Sequence, residues 1–124
     1  MSERTILIVD DSPSMRQIIV GALGNAGYQT LQATDGQDAL EQFRDGVAVD
    51  LALVDFNMPR LDGVSLIRAL RAAEATRFLP IVVITTETRR ERREQARAAG
   101  ATGWIVKPFH PDDVLMTVKR LLPR

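Results

Sequence analysis

The chain has 124 residues and no cysteine, and its 16 basic and 16 acidic residues cancel to a formal net charge of zero. That length predicts one domain over residues 1–124 with one core, and no room for a separate output domain. The charge balance excludes a general attraction to nucleic acid or acidic membranes, the missing cysteines exclude disulfides and thiolate metal sites, and no signal peptide or membrane-length apolar run is present, so a cytoplasmic protein is expected.

Strand 1 covers about residues 5–10, where Ile6-Leu7-Ile8-Val9 runs into Asp10-Asp11. Ser12-Pro13 then reads as an N-cap followed by proline at the first helical position. Met15, Ile18, Ile19, Ala22 and Leu23 make the apolar stripe of helix 1, which Gly24 and Gly27 close. Tyr28 to Ala33 reads as strand 2. Asp35-Gly36 caps helix 2, with Ala39, Leu40 and Phe43 inward and Gly46 at its end. Strand 3 spans 50–55 and ends on Asp55. A turn-rich loop from Asn57 to Gly63 leads into helix 3, whose apolar positions are Val64, Leu66, Ile67 and Leu70.

Pro80 precedes strand 4, where Ile81-Val82-Val83-Ile84 runs into Thr85-Thr86. Helix 4 spans about 87–99 and stops at Gly100. It is polar almost all round, so it is weakly anchored, and reads either as a solvated face or as a movable element. Strand 5, about 103–107, runs Trp104-Ile105-Val106 into Lys107-Pro108. His110 caps helix 5, Pro111 takes its first position, and Asp112 and Asp113 complement its dipole. Val114, Leu115, Val118, Leu121 and Leu122 form its buried face. Asp35, Asp38 and Asp62 likewise read as caps and first-turn acids, and Met15 and Met58 as packing.

Short, β-branched, continuously apolar runs read as strands buried on both faces of a parallel sheet. Five alternating β/α units with short connections and right-handed crossovers predict such a sheet, with helices on both faces. Ligands of open α/β sheets bind beyond the carboxyl ends of the strands. That rule gathers Asp10, Asp11, Asp55, Thr85 and Lys107 on one edge. Three crowded carboxylates repel and raise one another's pKa unless a cation joins them. Magnesium suits the site: it prefers hard oxygen ligands, takes one or two carboxylates and keeps several waters. Three carboxylates, one lysine and one Mg²⁺ sum to zero charge. Aspartate can act as a nucleophile and form an aspartyl-phosphate. Asp55, alone at its strand end, is the better nucleophile, whereas the tandem Asp10-Asp11 suits a metal.

Four segments carry a resemblance: Ile8 to Ser12, Val54 to Gly63, Ile84 to Thr86 and Val106 to Phe109. Together they resemble the CheY-like receiver domain of two-component response regulators, over essentially the whole chain. The resemblance implies a flavodoxin-like sheet with strand order 2-1-3-4-5. It makes Asp55 the phosphoacceptor. It makes Asp10, Asp11, Asp55 and the backbone carbonyl of Asn57 the magnesium ligands. Thr85 and Lys107 become the pair contacting the phosphoryl group, and Lys107-Pro108 a cis peptide. The donor would be a histidine kinase, and the chain a regulator that catalyses its own phosphoryl transfer and autodephosphorylation, not a conventional turnover enzyme.

The segments Asp55 to Pro59 and Ala98 to Phe109 narrow the resemblance to stand-alone chemotaxis regulators, expected as monomers. Those bind the flagellar motor switch protein when phosphorylated, or drain phosphoryl groups from the kinase. Thr85 and Trp104 are the expected switch pair. Many family members carry tyrosine or phenylalanine where this chain has Trp104, and the larger indole bears an N–H that needs a partner if buried. Residues at the places of Asn57 and Glu87 tune aspartyl-phosphate lifetime in the family. The alternatives are a phosphorelay or cell-cycle receiver, a passive binding module, or a small magnesium-dependent phosphohydrolase. Against the last, Asn57 stands where such an enzyme would carry a second acid, and no Gly-rich phosphate loop is present.

Overall fold

A computed structural model describes residues 4–123, so both ends of the expected domain, 1–3 and 124, lie outside the described residues. Five strands, β1 (Thr5–Val9), β2 (Gln29–Ala33), β3 (Leu51–Asp55), β4 (Ile81–Thr85) and β5 (Gly103–Val106), form one sheet in the order β2-β1-β3-β4-β5. Every neighbouring pair is parallel. Between and after them run α1 (Pro13–Asn25), α2 (Gly36–Arg44), α3 (Gly63–Ala72), α4 (Arg90–Ala99) and α5 (Pro111–Leu121). This is the flavodoxin-like architecture expected from the sequence.

The period-2 alternation of the strands divides the core into two layers. Ile6, Ile8, Leu51, Leu53, Val82 and Ile84 face α1 and α5, meeting Ile19, Leu23, Val114 and Val118. Leu7, Val9, Ala52, Val54, Ile81 and Val83 face the other way, meeting Ala39 of α2, Leu66, Ile67 and Leu70 of α3, and Ala96 of α4. The three central strands β1, β3 and β4 are buried on both faces, which is why their sequences are continuously apolar.

The expectation fails for the fourth apolar run. β5 is an edge strand with only Ile105 buried, and Val106 is 39% exposed. β1 ends at Val9 rather than residue 10, so Asp10 stands just past the ladder. Ile18 is 50% exposed and faces away from the stripe it was assigned to; Ile19 and Leu23 carry the buried side of α1. The α4 helix begins at Arg90, not near 87. The cause is local: the Glu87 carboxylate accepts a hydrogen bond from the Arg89 N–H at 3.0 Å, which forms a turn in place of a first helical turn.

The helix caps are those expected. Ser12 Oγ accepts from the Met15 N–H (3.3 Å), Asp35 from the Asp38 N–H (2.8 Å) and Asp62 from the Ser65 N–H (2.8 Å). His110 Nδ1 accepts from the Asp112 N–H (3.1 Å) while the Asp113 carboxylate accepts from the His110 N–H (3.0 Å). The Lys107-Pro108 peptide is cis.

One glycine fixes the end of β3. A β-carbon at Gly63 would lie 2.7 Å from the Asp55 carbonyl oxygen and 2.9 Å from Phe56 Cα. The first turn of α3 therefore packs directly on the backbone that carries Asp55, and the Gly63 N–H donates to the Phe56 carbonyl (3.0 Å). Gly63→Ala must push these backbones apart. The expected cost is about 1–3 kcal/mol of unfolding free energy, read by urea denaturation at unchanged m-value. A variant as stable as the parent would show that this approach is not tight.

Candidate functional site

The register Val9↔Val54 and Asp55↔Ile84 brings the ends of β1, β3 and β4 level. Asp10, Asp55 and Thr85 emerge there almost wholly buried, at 2%, 8% and 1% exposure, whereas Asp11 is exposed. One carboxylate oxygen from each of Asp10, Asp11 and Asp55 falls within 4.8 Å of the other two. Lys107 reaches in from the end of β5, its Nζ 3.2 Å from Asp10 Oδ2 and 3.8 Å from Asp55 Oδ2. The Lys107 N–H bonded to the Thr85 carbonyl (2.7 Å) holds that strand end in place. The structure thus brings together four of the side chains that the strand-end rule gathers, with Thr85 at the end of the neighbouring strand.

Each group is held from behind. Asp10 accepts the Ser12 N–H on Oδ1 (2.9 Å), and its carbonyl accepts from Arg16 (2.6 Å). Asp55 Oδ1 accepts a long bond from the Asn57 N–H (3.4 Å). Thr85 Oγ1 accepts from the Glu87 N–H (3.0 Å), leaving the hydroxyl proton free to donate. The Glu87 carboxylate forms a bidentate pair with Arg89 at 3.0 and 2.9 Å, and that guanidinium holds the Glu87 pKa well below the usual carboxylate range.

Burial is the main reason Asp55 resists ionisation. It raises the pKa to about 6, Lys107 opposes the rise, and the negative charges of Asp10 and Asp11 add to it. One ammonium among three carboxylates leaves the cluster short of positive charge. Three hard oxygen donors from two buried carboxylates and one exposed carboxylate are a donor set that magnesium fits, with its open side toward solvent at Asp11.

Sequence reading missed the support beneath Asp55. Arg60, with a positive φ of 68°, turns back to pair with Asp35 through Nε (2.7 Å) and a terminal nitrogen (3.1 Å). Asp35 therefore does two jobs, capping α2 and clamping the loop after Asp55, and the Arg60 guanidinium lowers its pKa. A β-carbon at Gly36 would collide with the carbonyl oxygen of Leu61, so the loop also lies flat on the start of α2. The one signal in the chain was an arginine beside a proline in a loop otherwise poor in cations. Trp104 is half-buried against the α3–α4 core layer and meets Phe56 edge-to-face, with centroids 5.6 Å apart at 63°.

The fold and this cluster are those of a receiver domain, and comparison with known proteins bears out that class. The chain belongs to the response regulator receiver domain family, whose model matches residues 6–119. Within it the chain is CheY-like. It is 38% identical over 120 residues to the chemotaxis protein CheY of Pseudomonas aeruginosa, covering 96% of each chain. It is 42% identical over 105 residues to CheY-3 of Vibrio cholerae, covering 84% of this chain and 80% of that one. The crystal structure of Vibrio cholerae CheY4 superposes with a TM-score of 0.92 at 40% identity, over 98% of this chain and 100% of the other. The receiver domain of the Pseudomonas aeruginosa sensor kinase PA1611, solved with a magnesium ion in its active-site cleft, gives 0.87 at 30% identity, over 97% and 98% of the two chains. No helix among the described residues is long and apolar enough to cross a membrane.

The raised pKa has a consequence for stability. The folded protein holds the Asp55 proton up to about pH 6, while an unfolded chain releases it near its ordinary 3.8. Between those values the folded state binds more protons, so this group lowers stability as pH rises through that window. In metal-free buffer at pH 7.5, Asp55→Asn is expected to be more stable than the parent by on the order of 2 kcal/mol, with the gain shrinking toward pH 4. Paired urea titrations with EDTA at the two pH values check this; an Asp55→Asn variant no more stable at pH 7.5 would contradict the crowding.

Proposed function

We propose that the chain is a chemotaxis-type response regulator, phosphorylated on Asp55 by a histidine kinase in a magnesium-dependent reaction. The observation that carries this reading is the buried Asp55 carboxylate set between the Lys107 ammonium and the Asp10–Asp11 pair. Asp10, Asp11, Asp55 and the backbone carbonyl of Asn57 would hold the magnesium, which when bound supplies positive charge to the oxygens of the transferred phosphoryl group.

The chain's own residues do the rest. The ionised Asp55 carboxylate attacks phosphorus in line, and the new O–P bond forms as the P–N bond of the phosphohistidine breaks. The leaving imidazole keeps the P–N electron pair and takes up a proton. Phosphoryl transfer needs positioning and charge stabilisation more than covalent chemistry, and the backbone clamp around Asp55 supplies the first. Lys107, already within reach of Asp55, stabilises the developing charge. The free proton of the Thr85 hydroxyl points the product state toward a new hydrogen bond to a phosphoryl oxygen. Asn57 and Glu87 flank the path of the water that later hydrolyses the aspartyl-phosphate.

Engagement of Thr85 is the switch, and Trp104 is its partner in the neighbouring strand. Trp104 need not rotate fully inward, because its indole already packs on Phe56, the residue after Asp55. The changed surface of α4, β5 and α5 would be read by the flagellar motor switch protein, with the chain acting as a cytoplasmic monomer. The chemotaxis relatives, matched over nearly their whole length, favour this over a phosphorelay or cell-cycle role. A turnover phosphohydrolase is disfavoured by Asn57 in place of a second acid.

Radiolabelled acetyl phosphate tests the chemistry without a kinase. Label is expected on the parent chain with Mg²⁺, and absent both with EDTA and in Asp55→Asn. Stable labelling of Asp55→Asn would move the acceptor elsewhere. Absence of label from acetyl phosphate and from a purified chemotaxis kinase alike would end the phosphorylation reading.

A further inference from the structure

The charge of this chain is balanced overall but not locally. Between residues 89 and 97 stand Arg89, Arg90, Arg92, Arg93 and Arg97 against Glu91 and Glu94, with no lysine among them. Two of these arginines are engaged: Arg89 pairs with Glu87, and Arg92 donates to Gln95 (3.3 Å). Arg90, Arg93 and Arg97 form no ion pair or side-chain hydrogen bond among the described residues. They fall at i, i+3 and i+7, one stripe of the helix. That stripe walls a groove of about 470 Å³ between α4 and β5, whose other walls include Glu94, Thr102 and Trp104.

A purely solvated helix face explains exposed arginines but not their convergence on one groove with the chain's sole tryptophan. The groove faces a ligand with three guanidiniums and one carboxylate, so it suits an anion. Its volume lies in the range of small-molecule sites, about 300–1,000 Å³. Arginine, used at every basic position, offers the planar fork that meets phosphate oxygens bidentately and also stacks on flat rings. Arg90 and Arg97 stand seven residues apart, about 10 Å along the axis, enough to span separate phosphates or a phosphate and a base. The half-buried Trp104 adds a π-face of the kind that nucleobases stack on. An acidic peptide would satisfy the charge but would leave the aromatic wall and the fork geometry unused.

The geometry points to a nucleotide-binding site in the α4–β5 groove, with phosphates held by Arg90, Arg93 and Arg97 and a base against Trp104. The groove is a separate place on the surface from Asp55, and the unphosphorylated chain already presents it. It adjoins the receiver site through the Trp104–Phe56 pair and through the Thr85–Glu87–Arg89 turn that begins α4.

Isothermal titration calorimetry on the full unphosphorylated chain tests this, with ATP, GTP and a cyclic dinucleotide as probes. Inorganic phosphate and a hexaglutamate peptide serve as controls. At least one nucleotide is expected to bind well above both controls. The double variant Arg93→Ala/Arg97→Ala should weaken that binding roughly tenfold or more, since charge-assisted hydrogen bonds are lost. Arg44→Ala, which removes the same type of charge from distant α2, should bind like the parent. Unchanged melting by circular dichroism in the double variant establishes that it folds. The proposal is overturned if no nucleotide binds, if phosphate binds as well as the nucleotides, or if only the peptide binds. It is equally overturned if the double variant binds normally or if Arg44→Ala weakens binding as much.

Discussion

Everything at the carboxyl edge of this sheet is organised around one electrostatic deficit. Two buried carboxylates and a third beside them share a single ammonium, that of Lys107. Carboxylates this close cannot all ionise at no cost, and burial makes the cost larger for Asp55 than charge repulsion does. A site that destabilises its own protein persists only if the surroundings over-determine it. Here the surroundings are β1, β3 and β4, whose side chains are almost all fully buried, and whose register sets the strand ends level. The central core is therefore the rigid shelf that keeps the acids together when their mutual repulsion favours spreading.

A shelf fixes where a strand ends but not where the next loop goes. That second constraint falls on the segment from Phe56 to Asp62, which is held at three points. Gly63 lets α3 press on the Asp55 backbone, Gly36 lets Leu61 lie on α2, and the Arg60–Asp35 pair closes the loop from outside. The two glycines act by steric absence rather than by unusual dihedral angles, while Arg60 itself takes the left-handed conformation. Asp55 thus has little freedom to relieve crowding by moving. Relief must come from a proton, a cation, or the ammonium already present.

These two constraints differ in how well a sequence records them. Continuous apolar runs ending in Asp, Asp, Thr and Lys are local signals, so the parallel sheet and its strand-end residues were legible from residue types alone, whereas the strand order came only with the family resemblance. The helix caps were legible for the same reason, since each is made within three residues. The clamp was not, because Asp35 and Arg60 meet across 25 residues and each has an adequate local reading as a cap or a surface cation. Burial of edge elements was also hidden: Trp104-Ile105-Val106 has the composition of a central strand, and only its place at the end of the sheet order exposes Val106. The start of α4 was misplaced because a side chain, Glu87, outcompetes the backbone for the Arg89 N–H.

That last detail links the site to the helix beside it. α4 buries only Ala96, so packing holds it weakly along its length. Its two ends are secured differently. At the carboxyl end, Arg71 of α3 donates twice to the Gly100 carbonyl, at 3.1 and 2.8 Å, and also reaches the carbonyls of Thr76 and Arg77. Gly100, at φ 117° and pressed by the Arg71 side chain, completes that anchor. At the amino end the helix has no side-chain cap of its own from Arg89; the Glu87 carboxylate accepts the Arg89 N–H, and the Glu87 N–H in turn holds the Thr85 hydroxyl. Any movement of that hydroxyl toward Asp55 must stretch this bond and disturb the turn that begins α4, while the far end stays pinned by Arg71. The asymmetry makes the amino end of α4, with its arginines, the part of the surface most directly coupled to the acidic site.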